Sequence, residues 1–309
     1  MGSSIEAYLL RGDRSPAAGK QATFPAFRLS LSDNVELGIN LLRHWESLAL
    51  KYDPEHGYWG CFSGGKDSCV IKELAKAAGV AVRWHYNMTT IDPPELVRFI
   101  REQHPDVVWE RPSMPFLQRL AEVRGYPLRH NRWCCQEYKE RGGYEHVKIT
   151  GVRAIESARR KQNWKQFQRW DATRSHGRSE QSSWVVNPIL HWSDEDVWQF
   201  IRERKLTYCS LYDEGFKRLG CIGCPMAGAK GQARQFERWP GFERAWRRAF
   251  RRLWERCRGR TMTRGKHSGQ PWPGLPGITS SDELFDWWKS GKAAPSEGGD
   301  KGECQMGFW

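Results

Sequence analysis

Residues 58–78 constrain the fold of this chain more than any other stretch. Tyr58-Trp59-Gly60-Cys61-Phe62 reads as a short buried strand, Ser63-Gly64-Gly65-Lys66-Asp67-Ser68 as a turn, and Ser68–Ala78 as a helix stopped by Gly79. Gly64 and Gly65 let the backbone approach a ligand and adopt dihedrals that other residues resist. The N–H groups of such a turn, with those of the first helical turn, can point at one anion, and the helix dipole favours negative charge there. Lys66 adds a positive charge, and Ser63 and Ser68 add hydroxyl donors. The stretch is a phosphate cradle by this reading. It is not a P-loop, which needs a longer glycine-spaced loop ending in Gly-Lys-Ser/Thr. The plainer alternative is an ordinary strand-to-helix turn, which a lone double glycine would favour; the full hexapeptide in this context points the other way.

An alternation of strands and helices continues from there. Val80–Tyr86, Val107–Glu110, Val147–Val152 and Trp184–Ile189 read as four further strands. Pro94–Gln103, entered through Asp92-Pro93-Pro94, reads as a helix, as do Pro115–Val123 and a segment running from Ser193-Asp194-Glu195-Asp196 to about Lys205. This pattern predicts an α/β fold with a doubly wound, mostly parallel, five-stranded sheet and ligands at the carboxyl ends of the strands. Ahead of it lies an N-terminal extension, with Arg11, Arg14 and Lys20 among small residues, then a helix over Val35–Leu50. The expected organisation is an extension and helix over 1–50, the α/β domain over 51–208, and a Cys-bearing, basic, helical region over 209–309.

The formal net charge of +13 suggests a polyanionic partner, nucleotide or nucleic acid. No long apolar run marks a membrane span and no signal-peptide pattern opens the chain, so a cytoplasmic protein without a membrane partner is expected. Residues 234–260 carry ten arginines against three glutamates. Within them Phe242–Arg258 reads as a helix in which Phe242, Trp246, Phe250 and Trp254 form one inward stripe. Arg247, Arg248, Arg251 and Arg252 then face out, which suits phosphate-backbone contact. Many of the 17 tryptophans sit beside arginine, which fits base stacking and cation–π packing equally.

Nine cysteines in a chain of this class point to metal ligands, catalytic thiols or core residues rather than a disulfide framework. Cys134-Cys135 and the distant Cys221-Ile222-Gly223-Cys224-Pro225 could together supply four thiolates to an iron–sulfur cluster or a zinc ion. Adjacent cysteines strain a tetrahedral zinc site, and a larger cluster accommodates them more easily. A redox pair at Cys221/Cys224 and apolar packing at Cys134/Cys135 are the alternatives, and Cys209 is near enough in sequence to replace one ligand. Cys61, Cys69 and Cys257 read as core thiols. Elsewhere, Thr150-Gly151-Val152-Arg153 follows a strand end. Gly151 would let the chain turn near a ligand, and Arg153 could clamp an anion bidentately. Glu156-Ser157 and Arg159-Arg160-Lys161 continue a stretch that otherwise reads as a solvated basic loop. Asp92, as a lone carboxylate before Pro93-Pro94, reads as a helix N-cap.

Residues Ser63–Ser68 resemble the pyrophosphate loop of the adenine nucleotide α-hydrolase (ATP pyrophosphatase) superfamily, whose members cut ATP between its α and β phosphates or bind an adenylyl-sulfate. The cysteine pattern resembles that of iron–sulfur adenylyl-sulfate reductases, which implies a four-iron cluster on Cys134, Cys135, Cys221 and Cys224. Gly151, Arg153, Ser157 and Arg160 resemble the Gly-x-Arg-x-x-x-Ser-x-x-Arg region of phosphoadenosine phosphosulfate (PAPS) reductases, and Asn187-Pro188-Ile189, Trp192 and Asp196-Val197-Trp198 also match. The likeness runs from about Tyr58 to Pro225. It implies a PAPS reductase-like domain with Lys66, Asp67 and Arg153 as catalytic residues. Ser63, Gly64, Gly65, Ser68, Asp92, Gly151 and Arg160 would join them in holding ATP, PAPS or adenylyl-sulfate with magnesium. Reductases of this kind carry a near-terminal Glu-Cys-Gly-(Ile/Leu)-His; here the stretch is Glu303-Cys304-Gln305-Met306-Gly307.

Three functions follow. One is an ATP-dependent sulfur transferase that adenylates a nucleic-acid target and exchanges the adenylate for sulfur from a donor protein such as a cysteine desulfurase. Another is a sulfonucleotide reductase that releases sulfite with Cys304 as nucleophile. The last is a non-catalytic nucleotide sensor, against which the complete Ser-Gly-Gly-Lys-Asp-Ser argues.

Overall fold

The computed structural model describes residues 29–129, 131–171, 182–262, 269–275 and 277–291. Arg11, Arg14, Lys20 and Cys304 lie outside them. The chain enters through α1 (Leu31–Tyr52), capped by a reciprocal Ser30/Asp33 box. Then come β1 (Tyr58–Cys61), α2 (Lys66–Ala78), β2 (Val82–Asn87), α3 (Pro94–Gln103), β3 (Val108–Glu110) and α4 (Phe116–Arg119), which runs into a π-turn over Leu120–Arg124. A second π-turn, Cys135–Lys139, precedes β4 (Val147–Ile149), α5 (Ala158–Asn163), β5 (Phe167–Asp171), β6 (Ser182–Val186) and α6 (Asp194–Glu203). Three helices follow: α7 (Gly228–Arg238), α8 (Pro240–Cys257) and α9 (Ser281–Ser290).

The sheet is mostly parallel, as the alternation predicts, but it has six strands rather than five, in the order β3-β2-β1-β4-β6-β5. The added strand, β5, pairs antiparallel with β6 at one edge (Phe167 opposite Val186, Asp171 opposite Ser182). It escaped sequence reading because its Phe-Gln-Arg-Trp-Asp alternation is short, polar and set among basic residues. The fourth strand is shorter than expected. It ends at Ile149, after which the Thr150 N–H still donates to Val186 O at 3.0 Å. Helices α5 and α7 were also not anticipated; Gly228 and Gly231 dilute the helical pattern of α7.

Strand order reverses direction between β1 and β4, which pair in parallel at Trp59–Lys148 and Gly60–Ile149. In open α/β sheets the crevice beyond such a switch point is where ligands sit. The core is one continuous cluster. It joins the sheet and its helices to a C-terminal layer built on Trp246, Phe250, Phe285 and Trp288, which are buried. The aromatic stripe of α8 therefore faces inward, as expected. Its arginines divide: Arg247 pairs with Asp282 (3.1 Å) and Asp286 (2.8 Å) and Arg252 with Glu122, while Arg248 and Arg251 stand exposed. Tryptophans 84, 133, 192, 239, 246, 272 and 288 are buried, so packing rather than stacking on bases accounts for these seven. Among the described residues no helix is long and apolar enough to cross a membrane.

Candidate nucleotide and thiol site

The glycine turn follows the carboxyl end of β1, beside β4, where the strand order reverses. Gly64 adopts φ +72°, and a Cβ there would strike Ile100 and Leu96 of α3 at 2.7 Å; glycine is required both by the backbone and by packing. Gly65 is the N-cap of α2 in extended conformation, and a Cβ would meet only Ser63 Oγ and Tyr212 Oη at 3.4 Å. The first helical hydrogen bond runs from Cys69 N to Gly65 O at 3.1 Å, so the N–H groups of Lys66, Asp67 and Ser68 precede it. The Lys66 N–H donates to the Tyr212 hydroxyl at 2.9 Å. The Ser68 hydroxyl donates back to Gly65 O at 2.7 Å, bracing the turn. Gly151 backs directly onto this loop, since a Cβ would lie 3.2 Å from Asp67 backbone atoms.

Four charged groups close a ring at the turn. Lys66 Nζ lies 3.0 Å from Asp67 Oδ1 and 3.1 Å from Asp194 Oδ1. Arg153 meets the same two oxygens, through Nε at 2.7 Å and Nη2 at 2.8 Å. The Lys66 and Arg153 side chains are 6% and 3% exposed, Asp67 23% and Asp194 68%. The Arg153 guanidinium thus contacts both carboxylates and Trp192 O. Burial opposes ionisation of Asp194, but hydrogen bonds from Lys66 and Arg153 outweigh it and hold the pKa below the ordinary carboxylate value. Arg160 pairs with Glu156, which also meets Arg218 at 3.5 Å. Burial first, then the charges of Arg218 and Arg132, lower the Arg160 pKa, so three arginines crowd one patch beside the loop.

The thiols assemble over the neighbouring strand, β2. Its last residue, Asn87, donates through Nδ2 to Lys139 O and Arg141 O, both at 3.0 Å, anchoring the π-turn that carries Cys135. Glu137 on that turn accepts from Arg119 and Arg124. The loop after β2 holds the other pair: Ile222 N donates to Ile91 O at 2.8 Å and Cys221 Sγ to Thr89 Oγ1 at 3.5 Å. Gly223 at φ +80° packs against Phe236 and Trp246. Asp92 is buried and accepts from Thr89 N at 2.7 Å, while Pro93 is the N-cap of α3, so Asp92 does not cap that helix.

Among the described residues, no three His, Cys, Asp or Glu side chains are drawn together closely enough to hold a metal ion. The four thiols are nonetheless neighbours. A hydrogen bond to Cys135, burial, and charge on Cys135, Cys221 and Cys224 all raise the Cys134 pKa. The Cys134 thiol in turn lowers that of Cys135, helped by Lys139 and Arg132. Charge on Cys221 first, then on Asp92, Cys224 and Cys135, raises the Lys139 pKa. Four soft thiolate donors with cations beside them suit an iron–sulfur cluster. Cys209 is buried within electrostatic reach of Cys69. Cys69 and Cys257 are buried core thiols, while Cys61 is partly exposed. Sequence reading did not single out Asp194, Tyr212 or Lys139 for the site. Asp194 sits in a capping run that explains it locally, and no signal marks Tyr212 or Lys139.

Two uncharacterized proteins of Methanocaldococcus jannaschii are 29% and 30% identical, over 63% and 54% of this chain but only 39% and 41% of their own lengths. An adenosine 5'-phosphosulfate reductase of Geobacillus is 27% identical over 46% of this chain and 60% of its own. The chain thus spans less than two thirds of each of these relatives. Among solved structures, Candida glabrata FMN adenylyltransferase aligns at TM-score 0.42 and 17% identity, over 71% of this chain and 68% of its own. The PAPS reductase of Candida auris aligns at 0.40 and 16%, over 63% and 97%. Residues 58–227, more than half the chain and the span that carries both the glycine turn and the four thiols, match the phosphoadenosine phosphosulfate reductase domain, and the chain belongs to that family.

Proposed function

We propose that this chain binds an adenine nucleotide in the β1/β4 crevice, cleaves it between the α and β phosphates, and uses the adenylate to activate a nucleic-acid oxygen for replacement by sulfur. The observation that carries this reading is the glycine turn with Lys66 and Arg153 buried at its mouth. A turn so equipped stabilises charge growing on departing pyrophosphate. Asp67, a carboxylate on the loop itself, fits the one or two protein carboxylates that magnesium takes alongside substrate phosphates. Magnesium would neutralise phosphate charge there. Cys134, Cys135, Cys221 and Cys224 would hold a four-iron cluster, which supplies electron-transfer or sulfur chemistry when bound. The nucleic-acid target is supported by the net charge of +13 and by exposed Arg244, Arg248 and Arg251. A sulfur-donor protein would complete the reaction.

A second reading, reduction of an adenylyl-sulfate to sulfite, is supported by the relatives named as adenosine 5'-phosphosulfate reductases. One experiment separates the two. Anaerobically prepared protein is given labelled ATP with and without nucleic acid, and separately adenylyl-sulfate or PAPS with thioredoxin. Pyrophosphate release stimulated by nucleic acid is the expected result; sulfite release without it establishes the reductase. Lys66→Ala should abolish turnover with the melting temperature retained, and full activity in that variant would remove the role assigned to the loop.

A further inference from the structure

The ring at the glycine turn contains two kinds of carboxylate. Asp67 belongs to the loop and is mostly covered. Asp194 comes from another element, is 68% exposed, and yet contacts both cations, Lys66 at 3.1 Å and Arg153 at 2.8 Å. Neither cation can follow it into solvent, because Lys66 is 5% and Arg153 3% exposed. A buried cation stripped of its counter-charge is costly, so the two hold whatever anion is available. We infer that Asp194 is an exchangeable counter-ion: it occupies the Lys66/Arg153 pair in the free protein and is displaced by a phosphate group of the incoming nucleotide.

The exchange is physically cheap on the protein side. Asp194 is the first residue of α6, directly after the N-cap Ser193. A carboxylate released from the ring stays at a helix N-terminus, where negative charge is favoured. Its exposure means that solvent takes up the freed oxygens without backbone movement. With Asp194 in place the ring carries two positive and two negative charges; with it gone, a net positive charge faces the crevice. Asp194 therefore lowers the affinity of the loop for any phosphate and favours release of pyrophosphate after cleavage. Neighbouring Asp196 has a different task, since its carboxylate accepts from Ser193 N at 2.7 Å in the capping box of α6.

This inference rests on the phosphate-loop reading above, and the two can fail separately. Inorganic pyrophosphate is titrated calorimetrically, with EDTA present and at fixed salt, into the wild-type chain, Asp194→Asn, Asp194→Ser and Lys66→Ala, each checked by thermal melting. The expected result is tighter binding in both Asp194 variants, by about three- to tenfold, and none in Lys66→Ala. Equal or weaker binding in whichever Asp194 variant melts like wild type overturns the counter-ion role, while binding by the wild type keeps the loop reading. No binding by any folded form removes the loop reading and this inference together.

Discussion

At the scale of single residues, the two glycines of the turn do different work. Gly64 needs a positive φ and the space that α3 leaves, whereas Gly65 has ordinary dihedrals and only van der Waals neighbours at 3.4 Å. Gly64→Ala should destabilise the chain by roughly 1–3 kcal/mol. Gly65→Ala should melt like wild type but bind pyrophosphate more weakly, because its methyl group fills the approach to the loop. Equal melting temperatures for the two variants would refute the distinction. His104 offers a separate test. Burial, then the Lys72 ammonium, pushes its imidazole down to about 4 from 6.5. The folded chain keeps it neutral between those values, while the unfolded chain takes up a proton below 6.5. Its contribution to stability is therefore complete above pH 6.5 and is lost as pH falls toward 4. The fall in melting temperature over that window should be shallower in His104→Gln, and identical slopes would count against the assignment.

At the scale of elements, one side chain holds the cysteine-bearing π-turn to the preceding one. Glu137 is 17% exposed and accepts from both Arg119 and Arg124. Those arginines lie on α4 and the π-turn after it, so the ion pairs fix Cys135 against the rest of the fold. Glu137→Gln keeps the shape and removes the charge that binds two guanidinium groups. If the four thiols hold the proposed cluster, iron retained per chain after anaerobic reconstitution should fall in this variant, with little change in melting temperature. Iron content equal to wild type would reduce Glu137 to a surface pair worth about 0–1 kcal/mol. The α8 helix shows a limit of reading charge from a helical wheel. Arg247 lies off the aromatic stripe, as the periodicity requires, and meets Glu243 one turn back on α8 at 3.4 Å, but its shorter contacts are to Asp282 and Asp286, about 35–40 positions away on α9.

At the scale of the whole molecule, the C-terminal helices act as a brace for the second thiol pair. Trp246 is fully buried and donates through Nε1 to Ile222 O at 3.1 Å, between Cys221 and Cys224. Gly223 packs against the same indole. Trp246→Ala should cost about 3–5 kcal/mol and, where the thiols hold the proposed cluster, should also lower iron retention. Trp246→Phe, which keeps most of the volume and loses the hydrogen bond, separates the two effects. If both variants retain iron like wild type, the C-terminal layer has no part in holding the thiols.

The sequence by itself determined what depends on neighbours along the chain. The strand–turn–helix at 58–78, the α/β alternation, the capping box at Ser193/Asp196 and the inward stripe of α8 are set by local propensity and periodicity, so they can be read without coordinates. The spacing of Cys134-Cys135 and Cys221/Cys224 marked those thiols, but the sequence left open whether they meet. Only the tertiary structure decided that they gather over β2, because Asn87 and the loop after it receive segments more than 50 and more than 120 residues downstream. It also decided that Lys66 and Arg153 share the carboxylates of Asp67 and Asp194, that Tyr212 caps the turn, and that a sixth strand is added at the sheet edge. These are contacts across the fold between groups whose local sequence already explains them in another way, and packing alone brings them together.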